Sequence, residues 1–291
     1  MSEPVRRLES YDTKRRYRAT VVSSERITGE MSPEEVRELV LDVDRDDFPY
    51  RIGQSVGVLA PGSSDFGHEH HFRLYSVADL PEEVDAGTPR IKICVRRCFY
   101  IDEYSGEQYP GIASNYLCDL APGDRLTLTG PYGLVFEVPE EREANLILFG
   151  TGTGIAPFRA LVKHLYRDVP DWKGRVWLFY GARSGLELLY MNDRKDDFAL
   201  YYDEETFEAF QALSPRPHWA DPIGWDHAIA ERGEQLWQLF SDSKTYVYLA
   251  GLEKMRDELD AVFTRLAGSK EKWARRKAEL MAGKRWVELL Y

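Results

Sequence analysis

The chain of 291 residues is 43% hydrophobic and 30% charged, and it carries a net charge of −11. This length suits two globular domains, and the composition excludes a disordered chain. The acidic charge argues against nucleic-acid binding. Because no apolar run could span a bilayer and no secretory signal is recognisable, we expect a cytoplasmic protein without a membrane span. The three cysteines lack CxxC spacing, so we expect neither a disulfide framework nor a metal site.

The first half of the chain predicts an antiparallel β-barrel or sandwich. Short β-branched or alternating runs, separated by turn residues, occupy residues 18–22, 37–43, 55–59, 91–95 and 125–129. Many short strands at this spacing are typical of such all-β architectures. We therefore assign residues 1–140 to an antiparallel β-barrel domain.

The second half predicts an α/β domain with a parallel sheet. An apolar run at 146–149 leads into a glycine-rich loop, and helical spacing follows over 155–166. Further strands are expected at 175–180 and 245–250, the latter before a helical stretch at 253–266. Because strands that alternate with helices form parallel sheets through crossover connections, we assign residues 141–291 to a nucleotide-binding α/β domain.

The glycine-rich loop, Gly150-Thr151-Gly152-Thr153-Gly154, lies between a buried strand and a helix. Glycines there let the backbone approach a diphosphate, and the helix N-terminus supplies amide donors. A tight strand-to-helix connection would explain the glycines equally well. Two further strands that end in Gly181 and Gly251 favour a ligand site at the strand C-termini.

A second candidate site lies in the β half, at Arg73-Leu74-Tyr75-Ser76. Strand alternation places Arg73 and Tyr75 on one face, where they offer a cation for a phosphate and a plane for a flat ring. A barrel strand with a surface arginine would give the same pattern. Residues 111–117 predict a small-residue turn that opens a helix, which also suits a phosphate.

Several segments resemble plant-type ferredoxin–NADP reductases, and they occur in that family's order. The resemblance covers residues 17–291, and its segments are 71–78, 114–120, 122–124, 130–131, 150–159, 177–181, 188–190, 246–252 and the aromatic C-terminus. It implies an FAD-binding barrel followed by an NADP-binding α/β domain. The protein's task would then be to orient and tune cofactors that carry the chemistry.

The resemblance implies roles for individual residues on the FAD side. Arg73 would bind the FAD diphosphate, Tyr75 would stack on the isoalloxazine, and Ser76 would donate a hydrogen bond near flavin N5. The remaining implied FAD contacts are Cys94, Val95 and Arg96 on the adenosine side, Tyr100 stacked on adenine, and Ile112, Ala113 and Ser114 at the diphosphate.

The resemblance also implies the nicotinamide side. Tyr291 would cover the flavin and would be displaced by the nicotinamide. Glu288 would match the family's carboxylate near the nicotinamide, although two residues separate it from Tyr291 where the family commonly has one. With Tyr75 and Ser76, these two residues are the predicted catalytic set. The implied dinucleotide contacts are Gly152, Thr153 and Gly154 at the diphosphate, Ala182 and Arg183 beside it, and Gly251 and Leu252 at the adenosine half.

Two departures from the family pattern concern the nicotinamide dinucleotide. Ala250 stands where the family usually has a cysteine, so we expect slower or looser nicotinamide docking. Ser214 and Arg216 keep a hydroxyl and a guanidinium for the 2′-phosphate of NADP, but residues 223–227 lack the family's lysine and tyrosine. Asp221 or Asp226 could instead favour a ribose hydroxyl. NADPH is expected ahead of NADH, with NAD possible.

The implied function is electron transfer between NADPH and a one-electron protein carrier, a ferredoxin or flavodoxin, through hydride transfer between nicotinamide C4 and flavin N5. Two alternatives stay open: the reductase component of a multicomponent oxygenase or epoxidase, and a flavin electron-transfer or sensor subunit that does not use nicotinamide. Basic clusters near both ends could steer an acidic carrier, namely Arg6, Arg7, Lys14, Arg15, Arg16 and Arg18, and Lys270, Lys272, Arg275, Arg276, Lys277, Lys284 and Arg285.

Overall fold

The computed structural model describes residues 8–45, 47–62, 69–84, 87–133, 136–216 and 222–291. Contacts divide these residues into two compact units, 8–133 and 136–291. Arg6, Arg7 and Asp221 lie outside the described residues. Within the described ranges, no helix has the length and apolar content that crossing a membrane requires.

The N-terminal unit is built around one antiparallel sheet. Its strands run in the order β4-β3-β9-β1-β2-β6-β5, and every neighbouring pair is antiparallel. A separate two-stranded hairpin pairs β7 with β8. The elements are β1 (Arg16–Arg26), β2 (Val36–Val43), β3 (Ser55–Pro61), β4 (His70–Ser76), β5 (Glu82–Val84), β6 (Thr88–Arg96), β7 (Phe99–Ile101), β8 (Gln108–Pro110), α1 (Ile112–Asp119) and β9 (Arg125–Tyr132).

A single bridge closes this sheet into the predicted barrel. Val77, directly after β4, pairs with Ile93 of β6, and the Ala78 amide donates to the Lys92 carbonyl at 2.7 Å. Since β4 lies at one end of the strand order and β6 near the other, the bridge joins the two ends. Alternating side chains from the strands fill the interior, with Leu39, Leu41, Val56, Val58, Ile91, Ile93, Leu126 and Leu128 among them.

The C-terminal unit is a five-stranded parallel sheet with helices, as predicted. Its strand order is β12-β11-β10-β13-β14, so the direction of strand addition reverses between β10 and β13. The elements are β10 (Asn145–Thr151), α2 (Ile155–Asp168), β11 (Val176–Ala182), β12 (Phe207–Leu213), α3 (Trp225–Ala230), α4 (Gly233–Ser241), β13 (Thr245–Gly251), α5 (Lys254–Ala267), α6 (Lys270–Ala282) and β14 (Trp286–Leu290).

The central strands of this sheet are covered on both faces. Every residue of β10 and β11 is buried, which is why their sequences read as continuous apolar runs. On one face Phe149, Phe179 and Leu249 pack in a cluster that includes Leu259 and Phe263 of α5. The edge strands β12 and β14 are only partly buried, and the sequence pattern predicted neither of them.

Candidate functional site

The first predicted motif, Arg73 to Ser76, forms the C-terminal half of β4. Arg73 is exposed, and its Nη1 donates to the Phe72 carbonyl at 2.8 Å, which leaves most of the guanidinium toward solvent. Tyr75, on the same face by strand alternation, packs against the barrel core, and burial raises the pKa of its hydroxyl well above the ordinary value. Ser76 is half-buried opposite Ser55. The strand therefore presents a cation and a supported aromatic ring.

The predicted adenosine-side residues lie at the end of β6. Cys94 and Val95 are buried, while the Arg96 guanidinium forms an ion pair with Glu34 at 3.1 Å. Beyond them, Arg96 and Phe99 line a cavity of about 460 Å³. The thiol of Cys98 donates to the Arg96 carbonyl at 3.3 Å. All three cysteines of the chain carry free thiols.

The start of α1 is tied to the end of β6 through side chains. The amide of Cys98 donates to Ser114 Oγ at 3.1 Å, and Asn115 Nδ2 donates to the Cys98 carbonyl at 2.8 Å. Gly111 precedes the helix, and a Cβ there would come within 3.2 Å of the Cys98 carbonyl oxygen. No side chain caps this helix start. Ile112, Ala113 and Ser114 are the first residues of this helix, where amides can bind an anion, and their predicted role at the diphosphate stays a prediction.

The glycine-rich loop occupies the point where the parallel sheet reverses its strand order. Gly152 has a φ of +52°, the left-handed region that favours glycine. A Cβ on Gly154 would lie 2.1 Å from the Ala250 carbonyl oxygen, so only glycine allows this approach to β13. Thr151 Oγ1 accepts the Leu252 amide at 3.2 Å. Open α/β sheets bind their ligands at this switch point.

The chain's last residue reaches this loop. The hydroxyls of Tyr291 and Thr153 are 2.6 Å apart, although 138 positions separate them in the sequence. The Tyr291 amide donates to the Gly251 carbonyl at 3.0 Å, and its own carbonyl accepts the Glu253 amide at 3.2 Å. An aromatic ring is thereby anchored beside the candidate diphosphate loop.

Two pairs of predicted dinucleotide contacts lie at the ends of β11 and β12, namely Ala182 and Arg183 beside the diphosphate, and Ser214 and Arg216 at the 2′-phosphate. Arg183 is exposed just after β11, and the Ser214 amide, just after β12, donates to the Ala182 carbonyl at 3.1 Å. Arg216 is exposed two residues farther on. Asp226, offered as a ribose partner, instead forms an ion pair with Arg265 of α5.

Glu288 lies in a network of hydrogen bonds and ion pairs. Its carboxylate accepts Arg256 Nε and Trp286 Nε1, each at 2.7 Å, and Lys277 Nζ lies 3.6 Å away. Burial raises the pKa of this carboxyl, but the two hydrogen bonds and the cations hold it below the ordinary value. The Cα partner of Glu288 in β13 is Leu249, which belongs to the aromatic cluster. Glu288 therefore contributes to an ion-pair network on that face of the sheet, and its predicted role near the nicotinamide stays a prediction.

Ala250 is fully buried in β13, on the side of the strand away from the aromatic cluster that holds Leu249. Its Cα partners in the neighbouring strands are Gly150 and Leu289. The Ala250 carbonyl is the group that Gly154 approaches most closely. The predicted effect of the missing thiol on nicotinamide docking stays a prediction.

The residues that hold the loop after β11 carry no signal in the sequence that identifies them. Tyr180 Oη donates to the Gly152 carbonyl at 2.9 Å and accepts the Leu189 amide at 3.1 Å. Arg159 of α2 is buried in an ion pair with Asp197 at 2.6 Å and lies 4.7 Å from the Tyr190 ring centroid. No local pattern marks these pairs, because their members are distant in sequence. In the described ranges, no group of three or more His, Cys, Asp or Glu side chains could hold a metal.

Comparisons with known proteins agree with this architecture. The family model described as "Oxidoreductase NAD-binding domain" matches residues 148–260. The chain is similar in structure to a mutant of ferredoxin-NADP+ reductase from Plasmodium falciparum that was solved in complex with 2'P-AMP. The superposition has a TM-score of 0.71 at 19% sequence identity, and it covers 97% of this chain and 98% of the Plasmodium falciparum chain. This likeness confirms the two-domain fold.

Relatives of known name are similar over most of the chain. The ferredoxin–NADP reductase of Synechocystis sp. is 34% identical over 86% of this chain, which spans 62% of that relative's length. The chloroplastic leaf isozyme 1 of Oryza sativa subsp. indica is 34% identical over 97% of the chain and 78% of the relative. The Spirulina sp. reductase is 32% identical over 95% of both. By this similarity, the chain belongs to the ferredoxin–NADP reductase family.

Proposed function

We propose that this protein is an FAD-dependent oxidoreductase that transfers electrons between NADPH and a ferredoxin. The named relatives are ferredoxin–NADP reductases, and they match the chain almost from end to end. None of them is named as an oxygenase or epoxidase component. The first unit would then be the FAD domain and the second the NADP domain, with the boundary near residue 140.

The observation that carries the proposal is the contact between Tyr291 and Thr153 at the switch point of the parallel sheet. A loop shaped for a diphosphate therefore has an aromatic ring beside it, held by a 2.6 Å hydrogen bond that a ligand can replace. The Tyr291 side chain is 55% exposed, so the ring is anchored without being buried. We infer that it occupies the region that a nicotinamide ring would enter.

The donor set of the N-terminal unit fits FAD. Arg73 would pair with the diphosphate together with the amides of Ile112 to Ser114, since exposed guanidinium groups and uncapped helix starts both favour phosphate. Tyr75 would support the flavin ring, and Ser76 would hold a hydrogen bond at flavin N5. When bound, FAD would exchange a hydride with nicotinamide and single electrons with the carrier. The chain's own residues would bind and orient both partners.

The preference for NADPH would rest on Ser214 and Arg216. An exposed guanidinium group two residues after a buried serine suits the dianionic 2′-phosphate better than it suits a neutral ribose. The Plasmodium falciparum structure, which was solved with 2'P-AMP, supports a 2′-phosphate site in this fold. Asp226 is paired with Arg265, and this ion pair reduces the case for NADH.

An acidic ferredoxin would be the carrier, with a flavodoxin as a second possibility of the same chemistry. The basic cluster of α6 is partly neutralised, because Arg275 and Arg276 pair with Glu279 and Lys277 pairs with Asp260. Charges that remain near both ends would still steer an acidic partner. We expect the rate of ferredoxin reduction to fall as salt rises; a rate independent of salt would contradict this part of the proposal. The cytoplasmic location is likewise a proposal, tested by cell fractionation.

The decisive experiment is an anaerobic titration of the flavin-loaded protein with NADPH and, separately, with NADH. We expect NADPH to bleach the flavin absorbance rapidly and NADH to do so more slowly. Added ferredoxin should then reoxidise the flavin. A flavin that neither nucleotide bleaches would refute the proposed function and favour a subunit that does not use nicotinamide.

A further inference from the structure

The β7–β8 hairpin displays aromatic side chains on a fixed support. Tyr100 and Tyr109 are directly paired across the two strands, and Tyr100 is 56% exposed. Asp102 Oδ1 accepts the amides of Tyr104 and Ser105 at 3.0 and 2.7 Å, and this fixes the turn. An exposed aromatic surface on an ordered ribbon is typical of a binding site.

Tyr109 is held in place from two directions. Its ring stacks on that of Tyr100, with centroids 5.6 Å apart and planes inclined by 23°. Its hydroxyl donates to Glu107 Oε2 at 2.5 Å, and this bond raises the pKa of Tyr109. Among the aromatic contacts of the described residues, this is the one that involves Tyr100. Tyr109 therefore covers one face of the Tyr100 ring and leaves the other face to a ligand.

The hairpin is connected at its base to the candidate phosphate site. Gly111, directly after β8, donates its amide to the carbonyl of Cys98, directly before β7, at 2.9 Å. Asn115 of α1 donates to the same carbonyl at 2.8 Å. The aromatic pair and the uncapped start of α1 thus belong to one local structure. A ligand with a flat base attached to a diphosphate matches both parts.

We propose that Tyr109 is a positioning residue that holds the Tyr100 ring against the adenine of FAD and thereby favours FAD over FMN, which has no adenine. The inference rests on the proposed function, because it takes FAD to be the cofactor. A ring that is already ordered loses less conformational freedom when the base stacks on it. Aromatic pairs contribute about 0.5–1.5 kcal/mol beyond burial, which corresponds to about 2- to 13-fold in Kd.

The test compares FAD and FMN rebinding to flavin-stripped full-length protein, followed by quenching of flavin fluorescence. We expect Tyr109→Ala to raise the Kd of FAD about 2- to 13-fold and to leave the Kd of FMN unchanged. Tyr104→Ala is the matched control, since Tyr104 is 100% exposed at the tip of the same hairpin. It should change neither constant. Glu107→Ala, which removes the tether and keeps both rings, should act in the same direction as Tyr109→Ala but more weakly.

A double variant separates positioning from general support of the hairpin. In a Tyr100→Ala background, Tyr109→Ala should add no further loss of FAD affinity, because its effect passes through the Tyr100 ring. Equal weakening of FAD and FMN by Tyr109→Ala, or wild-type FAD binding in that variant, would overturn the inference. A wild-type protein that binds no FAD would instead overturn the proposed function, so the two failures are distinguishable.

Discussion

Replacing single glycines in the loop 150–154 should affect the protein in a graded way that the structure specifies. A Cβ on Gly154 would lie 2.1 Å from the Ala250 carbonyl oxygen and 2.3 Å from its carbon. Close C···O contacts in proteins are about 3.3 Å, so the loop or β13 would have to move by roughly 1 Å. Both obstructing atoms are backbone atoms, and no side-chain rotation can relieve the clash.

The other two glycines of this loop provide matched controls. A Cβ on Gly150 would meet the Phe158 ring at 3.4 Å, an ordinary contact, so Gly150→Ala should cost less than about 1 kcal/mol. Gly152 has open space around it but a φ of +52°, and Gly152→Ala should cost about 1–2 kcal/mol. Gly154→Ala should cost about 3 kcal/mol, the upper end for overpacking. The expected order of destabilisation is Gly154, then Gly152, then Gly150.

Denaturant unfolding monitored by tryptophan fluorescence measures this order in the C-terminal unit, which contains the loop. All seven tryptophans of the chain lie at or beyond residue 172, so their emission reports the C-terminal unit alone. Binding of NADP+ to the flavin-loaded variants should weaken in the same order, since the displaced loop is the proposed diphosphate site. If Gly154→Ala unfolds at the same denaturant concentration as Gly150→Ala, the close approach of the loop to β13 is wrong.

Four other substitutions test separate parts of the site. Arg216→Ala should weaken the binding of NADPH about tenfold and leave the binding of NADH unchanged. Arg183→Ala, at the proposed diphosphate, should weaken the binding of both nucleotides. Equal effects of Arg216→Ala on both nucleotides would contradict the 2′-phosphate assignment. Glu288→Gln should cost about 1–3 kcal/mol at pH 7. The pKa of Glu288 in the folded protein lies below the ordinary 4.5, so its contribution to the stability of the fold is present above that pH and is lost as the pH falls through the folded pKa. The unfolding curves of the variant and the wild type should therefore converge in acid. Tyr291→Phe should tighten NADP+ binding about 2- to 13-fold by freeing the Thr153 hydroxyl, and unchanged affinity in a spectral titration would refute that competition.

The sequence predicted the parts of the fold in which local pattern and burial agree. In β2, alternation of Leu39, Leu41 and Val43 with polar or half-buried residues reveals the inward face, and β10 and β11 are apolar over most of their length because both of their faces are covered. β12 and β14 escaped prediction because an edge strand buries only part of its length. The β7–β8 hairpin escaped it because every residue in its strands is exposed, and no buried face produces a pattern.

The candidate site was predictable as a set of motifs and not as a set of contacts. The glycines of the loop indicate that its backbone lies close to another group, but that group, the Ala250 carbonyl, is about a hundred residues away in sequence. Likewise, nothing near Thr153 indicates that its hydroxyl meets Tyr291. Such pairs follow from strand order, since β10 and β13 become neighbours only after the sheet reverses direction.

Glu288 illustrates how a small offset in a strand becomes a qualitative difference. In β14, successive side chains point to opposite faces, so a shift of one residue moves a carboxylate from one side of the sheet to the other. Glu288 consequently meets Arg256 on one face of β14, and Leu289, the partner of Ala250 in register, lies on the other face.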